Sequence, residues 1–248
     1  MFVSASTSCF PELGINQAIE RLGDLEYTAV EIALHEDQGG LSPQQVAADL
    51  DRAIKQCRDT HRMIIAAYSL KWTESPTYYE EFATICRLAK ATKVVTLTVP
   101  PAELGTPFNQ EIERLRELVK IAARDGIVVG LRTEVGSLTE NPDTVVALCD
   151  NVKGLGVSLD PSHYICGPWN GRSYDQIIKF VVHTELRDTK KDRFQVRVGQ
   201  GEIEYGKLIT QLQQFDYQRA LNVNLPAIPD VDHTGEMRKI RLLLESML

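Results

Sequence analysis

Four absences narrow this chain before any motif is read. No CxxC pair occurs, no GxGxxG turn follows the first apolar run, no block of consecutive basic residues is present, and no apolar stretch is long enough to span a membrane. The five cysteines (Cys9, Cys57, Cys86, Cys149 and Cys166) are odd in number and scattered. That usage suits reduced thiols in a cytoplasmic protein rather than a disulfide framework. The missing glycine turn weighs against a nucleotide cofactor. The formal net charge is −7 and the pI about 5.3. Such a surface repels phosphate backbones, so no nucleic-acid partner is expected. Lys190, Lys191 and Arg193 form the one basic cluster, and Asp188 and Asp192 offset it. The opening MFVSASTSCF lacks a basic segment followed by a long apolar one, so neither a secretory signal nor a membrane span is expected.

What is present is alternation. Apolar runs at 2–6, 27–34, 62–69, 93–99, 127–134, 154–160, 179–186 and 220–226 read as strands. Amphipathic stretches separate them at 15–24, 41–60, 77–93, 109–126, 141–152, around 173–178, at 205–215 and at 233–248. Ser42 with Pro43 and Asn141 with Pro142 mark helix starts, and Gly126 a helix stop. Strict alternation implies parallel strands with right-handed crossovers. Eight repeats at this length imply one (β/α)8 TIM barrel over residues 1–248, with an open doubly wound sheet as the alternative.

In a barrel of this kind the strand C-termini share one rim, where active sites form. Reading that rim gives Glu31, Tyr68, Lys71, Glu134, Asp160, His163, Glu185, Arg187, Asp188 and Asn224. Carboxylates and a histidine converging from the fifth, sixth and seventh strands suit a divalent metal: Mn²⁺ or Mg²⁺ for an oxygen-rich set, Zn²⁺ or Co²⁺ once an imidazole joins. Such a metal polarises a sugar carbonyl and acidifies the neighbouring C–H, so that a carboxylate can carry the proton between carbons.

The motifs LDPSHY, HTELRDT and RVGQGEIEYG resemble the xylose-isomerase-like barrel family of sugar isomerases, epimerases and endonuclease IV-type repair enzymes. The resemblance is clearest over about 135–215. It implies a metal held by a Glu after the fifth strand, an Asp after the sixth, a His after the seventh and a Glu after the eighth. Asp160 and His163 match the Asp and the His three residues beyond it. The family's HxHLKD reads HTELRD: His183 matches the first His, Glu185 stands at the ligand position and Arg187 replaces Lys. Asn224 stands where the last Glu is expected, and an amide cannot serve as a base. On the fifth strand Thr133 aligns with the Glu position, and Glu134 is one residue on. Asp192, Arg193 and Phe194 resemble an Asp-Arg-His motif of the repair nucleases with the His lost, which argues against DNA cleavage.

The resemblance therefore implies a metal-assisted isomerase or epimerase for a small carbohydrate, and allows a homodimer. Glu134, Asp160 and Glu185 are the expected metal ligands. Glu134 is the expected base, with His163 beside it, and Glu31, Trp72, His163, Arg187 and Arg197 are the expected substrate contacts. Each has a plainer alternative: a turn cap for Asp160, an ion pair with Arg187 for Glu185, a salt bridge for Glu31, a loop brace for Arg197 and a cover over the mouth for Trp72 or Trp169. His35, His61 and His233 read as ordinary loop or surface residues. The competing function is a barrel that has lost catalysis and binds a ligand or a protein.

Overall fold

A computed structural model describes residues 1–170 and 172–248. Eight strands pair in chain order: β1 (Phe2–Ser6), β2 (Ala29–His35), β3 (Ile64–Lys71), β4 (Thr96–Val99), β5 (Val128–Arg132), β6 (Leu155–Leu159), β7 (Val181–Leu186) and β8 (Ala220–Val223). All are parallel, and β8 closes on β1 through the register Phe2 with Ala220 to Ala5 with Val223. The expected (β/α)8 barrel is the observed fold.

The helices are α1 (Ile15–Asp24), α2 (Pro43–Ala48), α3 (Leu50–Arg58), α4 (Tyr78–Ala91), α5 (Phe108–Ala123), α6 (Pro142–Asn151), α7 (Ser162–Ile165), α8 (Tyr205–Gln214) and α9 (His233–Glu245). Their apolar faces cover the strands. On α5, Ile112, Leu115, Leu118 and Ile121 recur at three-residue spacing and are all buried. Each such side chain contributes roughly 1.5–3 kcal/mol by leaving water. Gly126 takes φ +73° and turns the chain so that the Ile127 N–H reaches the Ala122 carbonyl at 3.0 Å.

The helix expected over 41–60 is two helices. Ser42 and Gln45 form a reciprocal cap at the start of α2, as the sequence indicates. Asp49 then leaves the helical conformation (φ −149°, ψ 86°) and its carboxylate accepts from the Arg52 N–H at 2.9 Å. An Asp that can cap a new helix competes with continuation of the old one. The helix expected around 173–178 is a 3₁₀ segment, Asp175–Phe180. Among the described residues no helix is long and apolar enough to cross a membrane.

The interior of the barrel is polar. Ser4 donates to Asn222 at 2.8 Å, Glu31 meets His183 at 2.7 Å across non-adjacent strands, and Arg132 reaches Ser69 at 3.3 Å. Below them the register slips between Val157 and Ser158, which sets Val182 against two glycines. A Cβ on Gly156 would lie 2.5 Å from Val182 Cγ1, and one on Gly130 3.1 Å from Val182 Cγ2. The glycines hold open the space that this valine fills.

Candidate active site at the barrel mouth

At the C-terminal rim lies a cavity of about 490 Å³. Residues from β2, β3, β5, β6, β7 and β8 or their following loops line it, among them His35, Lys71, Arg132, Glu134, Asp160, His163, Glu185, Arg187 and Asn224. The rim residues of distant sequence segments thus meet around one opening.

Glu185 sits at the end of β7 and is almost wholly buried. Its Oε2 accepts from the Asn224 amide at 2.7 Å, and Ser158 donates to Oε1 at 3.4 Å. No cation touches it among the described residues. Burial, with the nearby Glu31 adding to it, pushes this carboxyl above its ordinary range. The sequence predicts a metal or Arg187 as the partner of Glu185; instead Arg187 turns to Asp160. Residues two apart on a strand project side by side without meeting, whereas the end of β6 lies beside β7.

Asp160 accepts from the Ser162 N–H through Oδ1 at 2.9 Å, which is the turn cap its sequence context suggests. Its Oδ2 lies 2.9 Å from Arg187 Nη2, an ion pair without the alignment of a hydrogen bond. Phe194 lies under that guanidinium, 4.9 Å from its carbon to the ring centre. His163 comes from α7 immediately after β6. Its Nδ1 accepts from the Val135 N–H at 3.0 Å, so in the neutral ring the proton is on Nε2, 3.7 Å from Asp160 Oδ2. Burial lowers the His163 pKa against the pull of Asp160, so the neutral ring is favoured.

On β5 the ambiguity between Thr133 and Glu134 has a clear outcome. Thr133 is buried and clamps the β6 backbone, accepting from Asp160 N at 2.9 Å and donating to Asp160 O at 3.3 Å. Glu134 lines the mouth, one-third exposed, and pairs with Arg132 at 2.8 Å.

Three expected substrate contacts lie elsewhere. Glu31 is fully buried inside the barrel, bound to His183, and does not line the cavity. Burial raises its pKa but the His183 hydrogen bond and charge outweigh that, and the net direction is down. Trp72 is buried and stacks on Tyr78 with ring centres 4.5 Å apart; it borders a neighbouring cleft of about 670 Å³ instead. Arg197 is over half exposed, 3.8 Å from Glu236, and outside the cavity. Asp188 accepts from the Gly199 and Gly201 N–H groups at 2.7 and 3.0 Å and so braces the RVGQG loop. Tyr68 points to the helices and bonds Thr92 at 2.9 Å.

Sequence reasoning missed Arg132 and His35. Arg132 is a buried cation at the end of an otherwise apolar strand, and that break in the apolar run is its sequence signal. His35 is not a surface residue: it is buried in the mouth, 3.2 Å from Ser69. Counting in twos from Glu31 along β2 would have placed it on the inner face. His233 is half-buried and bonds the Cys9 carbonyl at 2.9 Å.

The sequence profile of the family described as "Xylose isomerase-like TIM barrel" matches residues 18–244. The chain belongs to that family. Solved structures share the fold at low identity. A D-tagatose 3-epimerase-like protein superposes with a TM-score of 0.76 at 16% identity, covering 100% of this chain and 98% of its own. A xylose isomerase-like TIM barrel protein from Mycobacterium smegmatis in complex with magnesium gives 0.76 at 14%, covering 99% and 97%. The IOLI protein with a zinc atom gives 0.75 at 15%, covering 100% and 98%. No curated protein sequence matches the chain significantly.

The family's metal does not fit this donor set. Among the described residues no three His, Cys, Asp or Glu side chains stand together as a metal site. Thr133 and Asn224 occupy two of the four ligand positions with neutral groups, Asp160 at a third already faces Arg187, and Glu134 beside Thr133 faces Arg132. A cation bound to Asp160 Oδ2 at about 2.1 Å would lie within about 5 Å of Arg187 Nη2. Repulsion between a dication and a guanidinium at that distance is roughly 7 kcal/mol at an effective dielectric near 20. The expected set of Glu134, Asp160 and Glu185 is therefore three separately engaged carboxyls.

Proposed function

We propose that the barrel mouth binds a small carbohydrate-class ligand, a polyhydroxy carbonyl compound, and moves a proton on it with no divalent metal. The observation that carries this reading is Glu185, a buried carboxyl lining the cavity with only an amide and a hydroxyl as partners. A carboxyl held above its ordinary range in a cleft, by burial and by Glu31, marks a candidate acid–base group. Glu185 takes the proton from the carbon next to the carbonyl. The C–H electrons form the enediol double bond, and the carbonyl oxygen gains negative charge. Arg187, which lines the same cavity, stabilises that charge. Return of the proton to the former carbonyl carbon, with the hydroxyl proton of the first carbon passing to the former carbonyl oxygen, gives an isomer; protonation of the first carbon on its opposite face by water beside Glu134, with Glu185 giving its proton up to solvent, gives an epimer. His163, with its proton on Nε2, orients a hydroxyl. The sugar-epimerase fold neighbours support the carbohydrate class, and the cavity volume lies within the usual range for small-molecule sites.

A second reading has its own observation. Arg132 pairs with Glu134 and Arg187 with Asp160, which suits a barrel that binds a ligand without turning it over. Incubating EDTA-treated protein with five- and six-carbon ketoses in D₂O separates the two. Deuterium entering beside the carbonyl, lost in Glu185→Gln, supports proton transfer. Thermal stabilisation by a ketose without exchange supports the binding reading. Neither exchange nor binding removes the carbohydrate assignment.

A further inference from the structure

Arg187 is nine-tenths buried, lines the mouth cavity and makes no aligned hydrogen bond among the described residues. Its one counter-charge, Asp160, meets only Nη2, because the other Asp160 oxygen is taken by the Ser162 N–H. Nε is buried without a partner, Nη1 makes no hydrogen bond among the described residues and stays reachable at the end of the fork, and Phe194 holds the guanidinium plane from below. Arg132, also buried in the lining, has a second Nε without an aligned partner, beside Glu134. Buried donors of this kind are rare when the chain itself can satisfy them. A planar fork with an unused edge matches a carboxylate, which can accept two parallel N–H bonds; a neutral hydroxyl cannot.

We infer that the ligand of this mouth is a sugar acid, its carboxylate seated on Arg187 with Arg132 beside it, and that these guanidiniums supply the positive charge a metal would bring. This rests on the carbohydrate reading above and names the class within it. The sugar part contacts the acids and His163 while the carboxylate completes the fork. Lys71 stands at the rim of the same cavity, already paired with Asp37 at 2.6 Å, so the free cationic edge is that of Arg187.

The test is calorimetric titration of the EDTA-treated full chain with matched pairs, gluconate against glucitol and galactonate against galactitol. Each pair shares a carbon skeleton and differs by the carboxylate. The acid is expected to bind at least about tenfold more tightly than its alcohol, as one charge-assisted contact allows, and to weaken with added salt. Arg187→Gln should abolish the preference. Asp160→Asn keeps the oxygen that caps Ser162 but releases the guanidinium, so it should tighten gluconate; a metal-dependent site requires the opposite. Equal binding of acid and alcohol overturns the inference, as does binding of neither, or binding that appears only when Mn²⁺ or Zn²⁺ is restored. If neutral ketoses still exchange deuterium in D₂O while gluconate fails to compete, the sugar-acid assignment falls and the proton-transfer reading stands.

Discussion

Asp160 Oδ2 and Arg187 Nη2 lie 2.9 Å apart with both side chains almost fully buried, so an ion pair occupies the place where the family resemblance implies a metal ligand. Removing one member leaves the other charged and dry. Asp160→Ala is therefore expected to destabilise the fold by about 3–5 kcal/mol. The double variant Asp160→Asn, Arg187→Gln should lose far less than the two single changes added together. Urea unfolding of the four proteins measures the coupling; additive losses would mean that the two residues do not act as a pair.

Glu31 and His183 form a second buried contact, 2.7 Å across the barrel interior. Burial alone would raise the Glu31 carboxyl, yet the His183 partner brings it below its ordinary value of 4.5. A depressed carboxylate pKa contributes stability that is complete above the unfolded value and is lost as pH falls through the folded one. Glu31→Gln should thus cost roughly 2 kcal/mol at pH 7, in line with a hydrogen bond to a charged group, and progressively less below pH 4.5. Unfolding free energies of both proteins from pH 3 to 7 check this. A gap that stays constant down to pH 3 would show that the Glu31 charge is not what the barrel uses.

Much of this barrel is legible in its sequence, because strands buried on both faces read as unbroken apolar runs and the helices between them keep their own period. The end of each run also marks the rim, which is how Asp160, Glu134 and Glu185 come to one cavity. What the sequence hides is pairing. That Arg187 meets Asp160 depends on how β7 lies beside β6, where the register slips between Val157 and Ser158, and no local pattern announces that slip. Arg132 and His35 were hidden for a related reason: each is a polar residue on the inner face of a strand whose phase is fixed only once Glu31 or Gly130 is known to face inward. Asp49 is a different kind of miss. The amphipathic period runs straight through it from Ser42 to Asp59, while the chain breaks there so that the side chain can cap Arg52.

The valine seated between two glycines gives a packing prediction. Gly156→Ala would put a methyl 2.5 Å from Val182 Cγ1 and 2.6 Å from Cγ2, far inside contact distance. Overpacking of this sort costs about 1–3 kcal/mol. Val182→Ala in the same chain removes both clashing atoms, so the double variant should recover most of the loss. Thermal melts of the single and double variants decide it; a loss of the same size in the double variant would place the strain elsewhere.

His35 supplies a pH dependence of its own. Burial, with Arg132 adding to it, pushes its pKa down to about 3 from 6.5, so the ring is neutral in the fold. The unfolded chain binds that proton below pH 6.5, so the stability His35 permits is full above 6.5 and drains as pH falls towards 3. Between pH 7.5 and 4.5 this amounts to roughly 3 kcal/mol. His35→Asn, which cannot titrate, should flatten that part of the profile. Chemical denaturation at the two pH values measures the difference, and an equally steep loss in the variant would rule His35 out as its source.

Glu185 should behave with the opposite sign, and this bears on its proposed role. Its carboxyl is held above the ordinary value of 4.5 by burial and by Glu31. A raised carboxyl pKa means that the protonated group sits comfortably in the fold. The resulting stability is complete below pH 4.5 and is lost as pH rises through the folded pKa, at up to about 1.4 kcal/mol per pH unit. Gln at this position keeps an oxygen for the Asn224 amide and carries no charge at any pH. Glu185→Gln should therefore match the parent protein near pH 4 and become the more stable of the two by pH 8. A parent protein that gains on the variant as pH rises would mean that a cation compensates the buried charge. The carboxyl would then be an anchor held in its ionised form, and the acid–base role assigned to it would fall.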